Sequence, residues 1–482
     1  MSKKAKLQVI TTYFMLKIQN TLTKKTEDFQ PLEDGKVKFY QCGPTVYWVQ
    51  HIGNMRAMVL ADLIRRSLVY LGYEVKFVRN YTDVGHMTTD EDGGEDKMTK
   101  AAKRESLSPE QIADKYIAQF EADVKALNCL PPDYAPRATE YIKQMQEMVQ
   151  YYLDNGFAYV TDLAIYFDIS KAKDYTALSG QKLEMNQAEA GSGEVGDPQK
   201  KHPADFAVWF FKAGTHANAL QTWSHDFKLP DGSEIKGEGF PGWHLECSAM
   251  NYALLGPTID IHLGGIEHVP VHHTNEIAQS EAFTGKKFVD YWMHNEHLTV
   301  DGGKMSKSEG TAYSVADIVA KGYDPLVLRY FFLGAHYRSK QNFTWEALDA
   351  AKSALDNLSG QILALKSEGG VINEDFKKKF IETLESDFNL PQALSVVFEM
   401  LKADITNADK YATLLDFDKV LGLGLSELKE DEAPEQIKKL AEERWQARQN
   451  KDWSESDRLR DEITNFGWQM EDGKDDYKLK KL

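Results

Sequence analysis

A parallel α/β core, a helical bundle and a small mixed C-terminal module are predicted by three observations on this 482-residue chain. A strand-helix-strand pattern occupies residues 36–80. After about residue 344 the apolar spacing becomes purely helical. The last segment carries a hairpin signal, Asp472-Gly473.

"KVKFYQC", residues 36–42, alternates as a strand does, with Val37 and Phe39 on one face. Met58, Leu60, Leu63, Ile64, Leu68 and Leu71 then recur at helical spacing, and Gly72 marks the stop. "EVKFVRN", residues 74–80, reads as the next strand, which makes a βαβ unit and a helix-covered parallel sheet. Residues 86–99 are polar and acidic and read as a loop. Tyr141, Met145, Met148 and Tyr152 line one face of a helix over 139–153, closed by Gly156. Residues 181–202 have the least core-like composition and read as a mobile loop. "DIHLGGIEHV" and "FVDYWMHNEHLTVDGG" return to short strands and turns. Leu348, Leu355, Leu358, Ile362 and Leu365 form one helical stripe; Leu394, Val397, Phe398 and Leu401, opened by Pro391, form another. Residues 426–436 read as a charged linker, and there is no internal repeat.

The bulk numbers narrow the function. Hydrophobic residues are 42% and charged residues 27%, enough for a large core on a soluble chain, and no apolar run reaches the roughly 20 residues of a membrane helix. The first residues lack a signal peptide's apolar core and cleavage site, so a cytoplasmic protein is expected; residues 1–14, before Met15, read as an N-terminal extension. Three cysteines, Cys42, Cys129 and Cys247, are too few and too scattered for a disulfide framework. A net charge of −17 excludes a protein that coats nucleic acid non-specifically, but not a local basic surface.

Two short stretches carry the chemistry. "HIGN", residues 51–54, lies between strand and helix. Gly53 lets backbone approach a ligand, the helix start offers amides to phosphate, and His51 and Asn54 add side-chain donors. Alone, four letters fit a structural turn better. "GGKMSKSEG", residues 302–310, sets Lys304 and Lys307 between glycines, able to neutralise charge on departing pyrophosphate. A solvated basic loop fits equally well.

The pair, in this order and some 250 residues apart, resembles the signature of class I aminoacyl-tRNA synthetases. A third stretch, "HHTNEIAQS", puts His272 and Glu276 on one helical face, and both suit Zn2+. Cys42 and Cys247 are available as further ligands, but spacing alone does not assemble four groups so far apart. Together, "YQCGPTVY", "HIGN", "PGWHLECSAMN", "HHTNEIAQS", "KMSKS" and "HYRSKQNF" look like the cysteinyl-tRNA synthetases. The similarity runs from Met15 to the C-terminus through "SDFNLPQAL" and "ARQNKDWSESDRLRDEI".

That resemblance implies a Rossmann-like catalytic domain over 15–300 with an inserted segment at about 130–240, and a "KMSKS" connector over 301–344. A helical bundle over 345–425 and an anticodon-binding module over 437–482 would follow. It implies one Zn2+ on Cys42, Cys247, His272 and Glu276, binding the substrate thiolate. Gly43, Thr82 and Trp243 would form the L-cysteine pocket. His51, Gly53, Asn54, His262, Gly265, Glu267, Lys304 and Lys307 would meet ATP, which arrives with Mg2+. The implied partner is tRNA(Cys), met by a monomer; Arg444, Arg448 and Arg458 are candidates for contacting it, or simply a solvated helix face. The chain departs from the family pattern at Asn54, at Glu267 and in the acidic 86–99 segment. The rival readings are a cysteine ligase of mycothiol synthesis, which lacks the anticodon module, and an inactive zinc-containing tRNA-binding protein.

Overall fold

The structure, a computed structural model, describes residues 15–85, 97–181, 197–305, 310–429, 433–473 and 476–481. The N-terminal extension, most of the 86–99 and 181–202 loops and Lys307 lie outside the described residues, as does the Lys304 side chain. The chain divides into two compact units, Met1–Leu358 with Ser367–Gly424, and Ser359–Lys366 with Leu425–Leu482. Among the described residues no helix is long and apolar enough to cross a membrane.

The first unit is built on a four-stranded parallel sheet. Its order in space is Val289–Asn295, Ile259–Gly265, Lys36–Gln41, Glu74–Arg79. Phe39 lies level with Phe77 on one side and Ile261 on the other, and all three are buried. Helix Ile52–Tyr70 joins the Lys36–Gln41 and Glu74–Arg79 strands, starting six residues before Met58, the first residue of the apolar periodicity. The chain order reverses between the two central strands, and in such sheets the crevice at their carboxyl ends is where ligands bind.

Between the second and third parallel strands the chain forms a separate antiparallel sheet, ordered Gly239–Pro241, Phe206–Phe211, Ala164–Phe167, Ala158–Val160. The run "FAVWFF" has buried residues on both faces, so it does not alternate. Tyr152, Phe167, Phe206 and Trp209 form its core with helices Ile142–Asp154 and Trp243–Leu255. The helix expected over 139–153 begins instead as a 3-10 turn, Ala138–Tyr141.

Helix Lys97–Glu105 corrects the loop expected over 86–99 at its end. Only Met98, Thr99, Ala101 and Ala102 are buried in it, too little apolar signal for periodicity to register. Later helices Glu374–Glu385, Leu390–Lys402 and Asn407–Leu421 pack around Phe380 and Phe417, whose rings stack at 4.1 Å.

The second unit pairs helices Glu435–Gln449 and Trp453–Asn465 with the hairpin Trp468–Asp472 and Tyr477–Lys481. Ile437, Ala441, Ile463, Trp468 and Met470 form its core. Of its arginines, Arg444 departs from the expected tRNA-facing set. Arg444 is buried and bidentate on Asp472 at 2.7 and 3.1 Å, and Arg448 shares that carboxylate. Arg458 is held by Glu455 and Glu462. A guanidinium at a half-buried hairpin turn is stabilised by the nearest carboxylate, so Arg444 serves the fold.

Candidate active site

At the switch point of the parallel sheet lies a cleft of about 360 Å3. Segments that follow all four parallel strands reach it: Cys42–Thr45 after the first, Asn80 and Thr82 after the second, Glu267 and His268 after the third, and Glu296 and His297 after the fourth. The side chain of His51 caps helix Ile52–Tyr70, its Nδ1 accepting the Asn54 N–H at 3.2 Å. An acceptor at Nδ1 puts the ring proton on Nε2, as a donor. A Cβ on Gly53 would sit 2.1 Å from the Met305 methyl, so glycine admits the "KMSKS" segment onto "HIGN". Beyond that segment, the Tyr313 carbonyl accepts the Ile52 N–H at 2.7 Å. The two motifs are thus adjacent. Arg56, buried on the same helix, binds the carbonyls of Glu296 and Ser339 and fixes the cleft rim.

Cys42, Cys247, His272 and Glu276 converge behind the cleft, their donor atoms all within 4.8 Å of one another. Cys42 directly follows its strand, Cys247 lies one turn into helix Trp243–Leu255, and His272 and Glu276 share a face of helix His272–Thr284. His272 Nε2 is 3.0 Å from Glu276 Oε1. A second set, Cys42, His262, His273 and Glu276, also meets the distance limit. Only the first turns three donors, Cys42, Cys247 and His272, to the cleft wall.

The first set fits Zn2+. Two thiols, an imidazole and a carboxylate are its usual ligands, and tetrahedral binding needs donor separations of about 3.3–3.8 Å, a small adjustment. Outer partners already orient the donors, with His262 Nε2 2.9 Å from Glu276 Oε2 and His244 Nδ1 2.9 Å from His272 Nδ1. The electrostatics agree. Burial pushes the Cys42 thiol well up, while its bond to Cys247, aided by His272, holds Cys247 down; the pair keeps its proton on Cys42. Burial alone would lower His272, but Glu276 and Cys247 raise it to about 10. Burial alone would raise Glu276, but His262 and His272 hold it well below the usual carboxylate range. Burial lowers His273 and His294 far below the usual imidazole value, so both are neutral.

Other expected residues fall around this centre. Trp243 is 38% exposed and lines the cleft, its ring 4.5 Å from that of His272. Thr82 and Gly43 line the same wall, and a Cβ on Gly43 would meet the Asn80 carbonyl oxygen at 1.6 Å. Gly265 has its neighbour's carboxylate folded over it: a Cβ there would lie 2.3 Å from the Glu267 oxygens. His262 is the exception. Expected near the nucleotide, it is fully buried behind Glu276 and stacked on Trp292 at 4.6 Å. Strand alternation turns it off the cleft, which only the strand's end reaches.

Sequence reasoning missed three residues. Asn80 braces the turn after Cys42; its signal was a polar residue at a parallel strand's carboxyl end. His273 stands 3.3 Å from Cys42 Sγ, and its signal was the histidine doublet. Lys97 lines the cleft, its ammonium 5.7 Å from the Tyr47 ring centre and its pKa lowered by burial; nothing in the sequence marked it.

Residues 28–353 match the family model described as the tRNA synthetases class I (C) catalytic domain, and residues 379–426 match the DALR domain. Fold and cleft therefore define a class I tRNA synthetase. The chain is 40% identical to a cysteine-tRNA ligase of Treponema denticola, over 97% of this chain and 100% of that one. It is 41% identical to cysteine-tRNA ligase 1 of Burkholderia lata, over 95% of each. The chain belongs to the cysteine-tRNA ligase family of enzymes. Among solved structures, the ternary complex of Agrobacterium radiobacter K84 agnB2 LeuRS, tRNA and LeuAMS shares the fold, with TM-score 0.56 and 11% identity, over 83% of this chain and 86% of that one.

Proposed function

We propose that this chain activates L-cysteine with ATP and transfers it to tRNA(Cys), selecting the amino acid by its sulfur. The observation that carries the proposal is the convergence of two cysteines, a histidine and a glutamate, with the first three at the wall of the cleft that "HIGN" borders. Bound by Cys42, Cys247, His272 and Glu276, Zn2+ would favour a thiolate over an alkoxide, which is far costlier to form. Pocket size alone discriminates cysteine from serine poorly, since the two are near isosteres.

The chain's own groups do the rest. Trp243 and Gly43 line the cleft wall beside that metal set. In the first step a substrate carboxylate oxygen bonds to the ATP α-phosphorus, and the bond to pyrophosphate breaks. His51 Nε2, the first-turn amide at Gly53, the Asn54 side chain, and Lys304 and Lys307 neutralise the phosphate charge, with Mg2+ accompanying ATP. Glu267 accepts from the ribose hydroxyls. In the second step a terminal ribose oxygen of the tRNA bonds to the cysteinyl carbonyl, AMP leaves and the hydroxyl proton is released. Positioning and charge supply the catalysis, without a covalent enzyme intermediate.

The DALR match and the second compact unit support a tRNA partner over a free small-molecule acceptor. The test is charging by zinc-loaded protein. A transcript with a GCA anticodon should be charged with cysteine, and the same transcript with an altered anticodon much less. Equal charging of both would remove the tRNA(Cys) assignment.

A further inference from the structure

We infer that Asn80 sets the polarity of the amino-acid pocket, fixing Thr82 as a hydrogen-bond donor to the substrate carboxylate. The inference rests on the cysteine-activation reading above. Asn80 is 1% exposed and directly follows the Glu74–Arg79 strand, at the cleft. Its Oδ1 accepts the Gly43 N–H at 2.9 Å. A backbone N–H only donates, so the amide oxygen faces Gly43 and the amide NH2 faces the other way. There Nδ2 donates to Thr82 Oγ1 at 3.3 Å. A hydroxyl that accepts from Asn80 must direct its own proton elsewhere.

The main chain of Thr82 is pinned on both sides, which fixes where its side chain starts. Its N–H donates to the Pro44 carbonyl at 3.1 Å and its carbonyl accepts the Val46 N–H at 3.0 Å. Its side chain also lines the cleft. A fixed hydroxyl donor suits a carboxylate and rejects an ammonium group. Holding one carboxylate oxygen leaves the other to attack phosphorus. At its other side, Asn80 Oδ1 is 4.0 Å from Cys247 Sγ, so one side chain spans the pocket from its sulfur end to its carboxylate end. Asn80 is a positioning residue, acting through Thr82.

Asn80→Asp keeps the acceptor for Gly43 and loses the NH2, so Thr82 turns its proton onto the new carboxylate. Thr82→Val removes the donor without adding charge, and Thr82→Ser retains it. Cysteine-dependent pyrophosphate exchange would be measured for each, with zinc content and the KM for ATP. Asn80→Asp and Thr82→Val should each raise the KM for cysteine about tenfold or more, the usual effect of losing a hydrogen bond to a charged group. ATP KM should stay within about twofold, zinc should remain bound, and Thr82→Ser should stay close to the parent protein. The double variant should be little worse than either single one, since both break the same donor. A Thr82→Val protein with unchanged cysteine KM, or a rise in ATP KM in step with it, overturns the inference. Absence of exchange in the parent protein would instead overturn the activation reading on which it rests.

Discussion

At position 43 a methyl group in place of hydrogen would meet the Asn80 carbonyl oxygen at 1.6 Å. Backbone cannot yield as a flexible side chain does, so Gly43→Ala should destabilise the fold by about 3 kcal/mol, measured by denaturant unfolding. A change below about 0.5 kcal/mol would contradict this close approach. Asp83, 3% exposed beside the pocket, accepts from the Thr139 N–H and hydroxyl at 2.9 and 2.7 Å, yet burial pushes its pKa up to about 6. The native carboxyl keeps its proton to higher pH than the unfolded one does, near 3.9 in water. The native state thus binds more protons between about pH 4 and 6, and stability falls as pH rises through that window, by up to about 3 kcal/mol. Asp83→Asn should flatten that part of the stability profile; an unchanged slope would refute the assignment. His272 and Glu276 were legible as a pair because four residues make one helical turn. Cys42 and Cys247 were not, because only the parallel sheet and the following helix bring positions 205 apart in sequence to one point.

Among the elements, helix Ile52–Tyr70 was readable from its apolar spacing and its Gly72 stop, because its inner face is buried almost continuously. Helix Lys97–Glu105 was hidden by its lysines, which keep most of its surface polar. The orientation of strand Ile259–Gly265 was hidden too: all seven residues are buried, so no alternation told which face His262 took. Arg444 misled for a related reason. Sequence shows charge but not the carboxylate opposite, and Asp472 meets Arg444 only after the hairpin forms. The later helices form a core apart from the metal ligands. Phe380, fully buried against Phe417, should cost about 3–5 kcal/mol on truncation to alanine, with zinc stoichiometry of the folded protein unchanged. Loss of zinc from folded Phe380→Ala protein would show that the two regions are not separable.

For the whole molecule, the proposed function has fold and substrate choice meet in the parallel sheet. The turn after its first strand carries both Cys42 and, nine residues on, His51, so in the proposed function one short segment joins the sulfur site to the phosphate site. That coupling is the central claim, and removal of a ligand tests its first half. Cys247→Ala should release the metal while the folded core persists, read as zinc per chain against circular dichroism. The most direct measurement of the claim as a whole is pyrophosphate exchange with cysteine and with serine, on zinc-loaded and zinc-stripped protein. Exchange should depend on cysteine, be far weaker with serine, collapse on stripping and return when zinc is restored. Equal exchange with serine, or full exchange without the metal, would contradict it.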